Sequence, residues 1–102
     1  MKIILVRYKV KTDRAAENIA YINQVFAQLK AETPSGLHYA SFTQNDGVSF
    51  VHLSAFETPD GNNPLTALSA FKAFGATIKD RCEELPLVIE LTEVGSYRFF
   101  NG

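Results

Sequence analysis

Two histidines, His38 and His52, are the side chains of this sequence best suited to moving protons near neutral pH, and each lies in a short run of alternating apolar and polar residues. A neutral imidazole accepts the proton of a phenol or enol, and an arginine close by stabilises the resulting anion. In the run Val48 to Glu57, Phe50, His52, Ser54 and Phe56 share one side, while Val51, Leu53 and Ala55 share the other. If the latter three face the helices, the former line the inside of a barrel. With three turn residues, Asn45, Asp46 and Gly47, Ala40 stands opposite His52 and His38 opposite Ser54, which puts both imidazoles on one side. A two-residue turn shifts the pairing by one and sends His38 to the other side. Arg7 on the first strand and Glu90 on the last are assigned to the same interior, as a pair. Arg7, His38, His52 and Glu90 are therefore the candidate catalytic set. Phe50, Ser54, Phe56 and Tyr97 are the candidate pocket wall for a flat, weakly acidic organic molecule. The plainer alternative makes Arg7 and Glu90 a structural ion pair and the histidines hydrogen-bonded interior groups.

The two histidines and Glu90 are ligand types a metal accepts, but no repeated spacing joins them, and neither a metal nor a cofactor is expected. Tyr8, Tyr21 and Tyr39 join Tyr97 as phenols able to orient a bound anion, or simply as core. Phe71 and Phe74 recur at helical spacing, which first reads as core. Arg98, with Phe99 and Phe100, closes a barrel rim or sits on an exposed edge. The polar segment Thr58 to Asn63 is a gate or a solvated turn. Cys82, between Arg81 and Glu83, reads as a buried packing thiol rather than a nucleophile.

The elements that must position these groups follow from periodicity. Lys2 to Lys11 alternates, with Ile4, Val6, Tyr8 and Val10 on one side, and predicts a first strand. Thr12 or Asp13 caps a helix running to about Ala31, since Ala15, Ile19, Ile22, Phe26 and Leu29 recur at three and four residues. Thr33, Pro34, Ser35 and Gly36 stop it. Leu37 to Gln44 and Val48 to Glu57 predict a hairpin around Asn45, Asp46 and Gly47. Pro64 opens a second helix whose stripe ends at Cys82, Pro86 ends the connection, and Leu87 to Phe100 makes a long last strand bent at Gly95.

Size and charge narrow the options. The 102 residues suit a single domain, 1–102, and 46% hydrophobic with 21% charged residues is globular composition. A net charge of -1 with no run of Lys or Arg argues against nucleic acid as a partner. No apolar stretch approaches the roughly 20 residues of a membrane helix, and residues 1 to 10 lack a signal-peptide layout. The lone Cys82 makes no internal disulfide. A cytoplasmic protein is expected, without membrane association.

Strand, helix, two strands, helix, strand is the split βαβ order of a ferredoxin-like α+β fold: an antiparallel four-stranded sheet with two helices on one face. Ile3, Leu5, Phe50, Phe56, Val88 and Val94 are assigned to the other face, too apolar for water, which predicts a homodimer through that open face. The element order, "TPSGLHYASF" leading into strand two, "FVHLSAFET" in strand three, "SAFKAF" in the second helix and the long last strand resemble the dimeric α/β barrel superfamily. Within it, the chain resembles the small antibiotic-biosynthesis-monooxygenase-like domains, over nearly its whole length. The resemblance implies a cofactor-independent monooxygenase-like enzyme acting on a small aromatic or enolic compound. Non-catalytic small-molecule binding, or a purely structural dimer, is the alternative. The chain has no Trp and no His on the second helix, so the residues of haem-degrading relatives have no counterpart.

Overall fold

In the computed structural model, which describes residues 1–99, β1 (Lys2–Val10) leads through a 3-10 turn, Thr12–Arg14, into α1 (Ala15–Glu32). Neither Thr12 nor Asp13 caps α1 by its side chain; Arg14 takes the cap position and its Nε donates to Glu17 Oε2 at 2.5 Å. The helix ends where Thr33 turns left-handed (φ 44°) and its N–H closes on the Leu29 carbonyl. Gly36 follows at φ 77°, and a Cβ there would lie 2.3 Å from the Glu57 carbonyl oxygen, so only glycine starts β2 (Leu37–Thr43) in this place.

The hairpin to β3 (Ser49–Phe56) departs from the expected three-residue turn. Asp46 Oδ1 accepts from the Val48 and Ser49 amides at 3.0 and 2.8 Å, and Oδ2 accepts from Ser49 Oγ at 2.6 Å. This Asx turn draws Val48 out of the strand, so Gln44 pairs with Ser49 across four turn residues. The pairing moves by one residue. Ser41, not Ala40, faces His52, and His38 faces Ala55 rather than Ser54. The two histidines are on opposite faces.

The sheet order is β2-β3-β1-β4, antiparallel throughout, the ferredoxin-like arrangement, with the helices on one face. The helix-facing rows carry Tyr8, Phe50 and Cys82, packed with Ile22 of α1 and beside Phe26, Phe74 and Ile78. Val25, Leu65 and Leu68 form a second cluster against Tyr39, Phe71 and Phe74. Phe50 and Leu65, 1% and 2% exposed, each contribute about 1.5–3 kcal/mol through burial. Because Lys2 pairs with Phe56 and Val6 with both His52 and Val88, the residues Phe50, Phe56 and Val88 belong to the helix face, not to the open face assigned from sequence. Ile3 and Leu5 do lie on the open face, opposite Ala55 and Leu53. Val94 lies beyond the sheet and is fully exposed.

The second helical region is broken rather than continuous. Pro64–Ala67 forms a 3-10 turn capped by Asn63, Leu68 is extended so that it and Leu65 both reach the core, and α2 (Ser69–Ala76) and α3 (Ile78–Arg81) are separated at Thr77. β4 (Cys82–Leu91) begins at once, earlier than its expected start at Leu87. Pro86 lies inside it, tolerated because β4 is an edge strand and because the pairing with β1 shifts register between Arg7 and Val10. The strand ends at Leu91, so Gly95 interrupts no strand. Residues 92–97 and Phe99 instead border, with Ile3, Leu53 and Leu91, a recess of about 380 Å³ beside the open face. Phe100, expected in the last strand and at the rim, lies outside the described residues.

Candidate functional site

His52 is held where three strands and α2 meet. β3 turns it toward the helices, where it is 5% exposed, with Tyr8 of β1 and Tyr39 of β2 stacked beside it and Phe74 of α2 edge-on at 5.5 Å. Both ring nitrogens are engaged. The Tyr8 hydroxyl lies 2.7 Å from Nε2; the Ser41 and Tyr39 hydroxyls lie 2.6 and 2.9 Å from Nδ1. Burial holds the imidazole pKa down at about 4, because no charged partner offsets the cost of desolvating a cation, and the ring is neutral at pH 7. The same burial raises both phenols, Tyr8 the more strongly, so they remain protonated donors.

The network continues away from the cavity. Asn18 of α1, fully buried, donates from Nδ2 to the Tyr8 oxygen at 2.9 Å and accepts from Arg81 Nε at 3.0 Å. Arg81, also fully buried, donates further to Thr77 Oγ1 and to the Phe74 carbonyl, an otherwise free carbonyl at the end of α2. Its guanidinium lies over the Tyr21 ring at 4.4 Å and near Phe74 at 5.2 Å. Among the described residues no carboxylate lies within ion-pair distance of it.

A cavity of about 180 Å³ opens beside His52, lined by Ile4, Val6, Tyr39, His52, Ser54, Asn63, Leu65, Phe71 and Phe74. An apolar cavity of roughly 150 Å³ takes a benzene-sized molecule, so this one suits a single ring with a polar substituent. Ser54, 6% exposed, makes no hydrogen bond within the protein among the described residues, and its hydroxyl faces this space. Asn63 Oδ1 is occupied by the Leu65 amide, which leaves its Nδ2 donors for other partners.

The structure thus brings His52 and Ser54 into one cavity and separates the other expected site residues. Phe50 and Phe56 share their face, but Phe50 packs under Tyr8 in the core. Arg7 pairs with Val51 and Leu87 and is exposed on the open face, whereas Glu90 pairs with Ile4 on the opposite face, also exposed, so the expected Arg7–Glu90 pair does not form. The cause is parity: seven and ninety take opposite sides of the pleat under the observed pairing. His38 is exposed on the open face. Tyr97 is 80% exposed beside the recess outside the sheet, with Arg98 over its ring. Cys82 packs in the core and burial raises its thiol pKa. Among the described residues no group of three His, Cys, Asp or Glu side chains could hold a metal.

Asn18, Ser41, Thr77 and Arg81 were not anticipated. A signal existed for two of them. Asn18 interrupts the apolar stripe between Ala15 and Ile22, and Arg81 follows Phe74 and Ile78 at helical spacing.

No protein-family model and no curated protein matches the chain. Solved structures do. A putative antibiotic biosynthesis monooxygenase from Nitrosomonas europaea superposes with a TM-score of 0.77 at 18% identity, over 93% of this chain and 100% of that one. One from Caulobacter crescentus reaches 0.72 at 22% identity, over 92% and 90%. SnoaB, a cofactor-independent oxygenase from Streptomyces nogalater, reaches 0.68 at 14% identity, over 93% and 94%. The chain therefore has the fold of the antibiotic-biosynthesis-monooxygenase-like domains, a ferredoxin-like α+β sheet layered with helices. Among the described residues no helix is long and apolar enough to cross a membrane.

Proposed function

We propose that this chain is a cytoplasmic enzyme subunit that binds a small, single-ring enol or phenol in the cavity beside His52 and oxygenates it without a cofactor, working as a homodimer through its open sheet face. The observation that carries the reading is an aromatic-walled cavity of about 180 Å³ beside a neutral imidazole, to which Ser54, whose hydroxyl has no protein partner among the described residues, is open. A ligand oxygen entering the cavity gives that accessible hydroxyl a partner and displaces water from it. A compound acidic enough to enter as its enolate is met by the Ser54 and Tyr39 hydroxyls, with the unpaired positive charge of Arg81 behind the Phe74 ring. The enolate carbon then forms a C–O bond with dioxygen, the peroxide takes up a proton, and loss of water leaves a carbonyl. One CH2 group and O2 become C=O and H2O, with no outside reductant. The cofactor-independent oxygenase among the structural neighbours supports the reaction class. The size of the cavity argues for one ring rather than a polycyclic compound.

One observation favours a second reading, a carrier or sensor without turnover: both ring nitrogens of His52 are already bound within the protein, which leaves no free base in the cavity. Titration with cyclohexane-1,3-dione, a small acidic enol, tests both. Shifts in the NMR signals of Tyr39, His52 and Phe74, together with oxygen uptake, are the expected result. Saturable binding without oxygen uptake establishes the carrier reading, and no shift at millimolar concentration removes the site.

A further inference from the structure

We infer that Arg81, Asn18 and Tyr8 act as a directional relay that fixes the His52 proton on Nδ1, so that the cavity offers hydrogen-bond donors and selects ligands presenting an acceptor oxygen. The direction is set at the far end. A guanidinium only donates, so the Arg81 Nε contact of 3.0 Å assigns Oδ1 to the Asn18 atom facing it. The Asn18 Nδ2 then faces Tyr8, and it can only donate to the phenol oxygen, at 2.9 Å. With that oxygen accepting, the single phenolic proton of Tyr8 has one acceptor in reach, His52 Nε2 at 2.7 Å. Nε2 must supply a lone pair, and the proton of the neutral ring is left on Nδ1.

The opposite tautomer would aim two donors, from Asn18 and His52, at the Tyr8 oxygen and leave its hydroxyl proton without an acceptor in a buried site. Burial keeps the ring neutral, so a doubly protonated ring does not compete at pH 7.

On the cavity side, Nδ1–H donates to Ser41 Oγ at 2.6 Å or to the Tyr39 oxygen at 2.9 Å. A hydroxyl that accepts this bond has its own proton free to give. Tyr39 borders the cavity whereas Tyr8 does not, so the tyrosine that meets a ligand is the one released to donate. His52 is then a donor rather than the proton acceptor expected from sequence. Arg81 and Asn18 are positioning residues, since neither borders the cavity. This last step rests on the cavity being the ligand site; the tautomer itself does not.

Long-range ¹H–¹⁵N correlation NMR on the ligand-free protein at pH 7 tests the relay. A pyrrole-type Nδ1 and a pyridine-type Nε2 are expected, and the reverse assignment overturns the proposal. Asn18→Asp replaces the donor by an acceptor, so Tyr8 should donate to Asp and accept from Nε2, exchanging the two ¹⁵N signatures. A ring unchanged by this variant also overturns the relay. Should that variant not fold, Tyr8→Phe is read instead: the relay then ends before the ring, so the Nε2 resonance should leave its hydrogen-bonded position, and an Nε2 shift equal to that of the natural protein overturns the relay. Cyclohexanone, which only accepts, should bind the Asn18→Asp variant roughly tenfold more weakly than the natural protein, while cyclohexane binds both alike. Failure of cyclohexanone to bind the natural protein overturns the cavity as a ligand site and leaves the NMR result on the tautomer standing, so the two failures are distinguishable.

Discussion

The two faces of this sheet carry the same residue types to opposite ends. On the helix side, His52 and Arg81 are buried, and every hydrogen-bonding partner they have is a neutral group fixed by a neighbour. On the open side, His38 and Arg7 stand in exposed positions among apolar residues such as Phe42 and Leu87, 52% and 48% exposed. A histidine or arginine becomes informative when its surroundings remove water and replace it with oriented dipoles. The open face has exposed apolar surface; the helix face has the buried polar network.

The sharpest way to break this contrast is at the arginines. Arg81→Leu leaves the Asn18, Thr77 and Phe74 acceptors without their donor, at about 1–3 kcal/mol for each that stays buried and unpaired, a loss that urea unfolding should show. Arg7→Gln on the open face should change stability by no more than about 0.5 kcal/mol. Equal effects from the two would refute the contrast.

Acid separates the histidines next. The pKa of His52 is about 4 in the folded chain against 6.5 when unfolded, so the unfolded state binds the extra proton and stability rises with pH across that interval. The contribution is complete above about pH 6.5 and is lost as pH falls toward 4, a change of about 3 kcal/mol. In His52→Gln, a pH series of unfolding midpoints should lose this slope; a slope that persists would assign it to other groups.

The open face should respond to charge in assembly rather than in folding. Phe42→Asp is expected to weaken self-association at least about tenfold, or about 1.4 kcal/mol, in sedimentation experiments, with a small effect on the subunit. A protein that sediments as a monomer before the substitution would remove the dimer from the proposal. The smallest effect is expected from His38→Ala: a stability change within about 0.5 kcal/mol and unaltered dione binding. A loss of dione binding in that variant would return His38 to the site.

Much of the architecture was legible because it depends on periodicity. The alternation of Ile4, Val6, Tyr8 and Val10, the stripe through Ile22 and the hairpin at Asn45 to Gly47 each survive an error of a residue or two. The site does not survive one. His38 and His52 share a face or not according to a single residue in the turn, and that residue was decided by Asp46 accepting the Val48 and Ser49 amides, an interaction that runs of apolar residues do not display. Arg7 does lie on the open face, as expected, but Glu90 pairs with Ile4 and so takes the helix face, a parity set by the β1–β4 register that the sequence does not display. Arg81 was hidden differently: a charged residue at a helix end reads as solvated, and only the tertiary meeting of α1, α2 and β1 shows that it is buried. Where β4 starts was equally a tertiary matter, since Pro86 is excluded from a central strand but not from this edge.

Pro86 also bears on how molecules of this protein meet in concentrated solution. An outermost strand ordinarily presents a row of amides and carbonyls on which a foreign strand can grow, the first step toward fibrous aggregates. Here that row lacks an amide at Pro86, the ladder behind it is out of step, and Glu83 and Glu84 add like charge to whatever approaches. Growth by strand addition is obstructed along this border of the sheet.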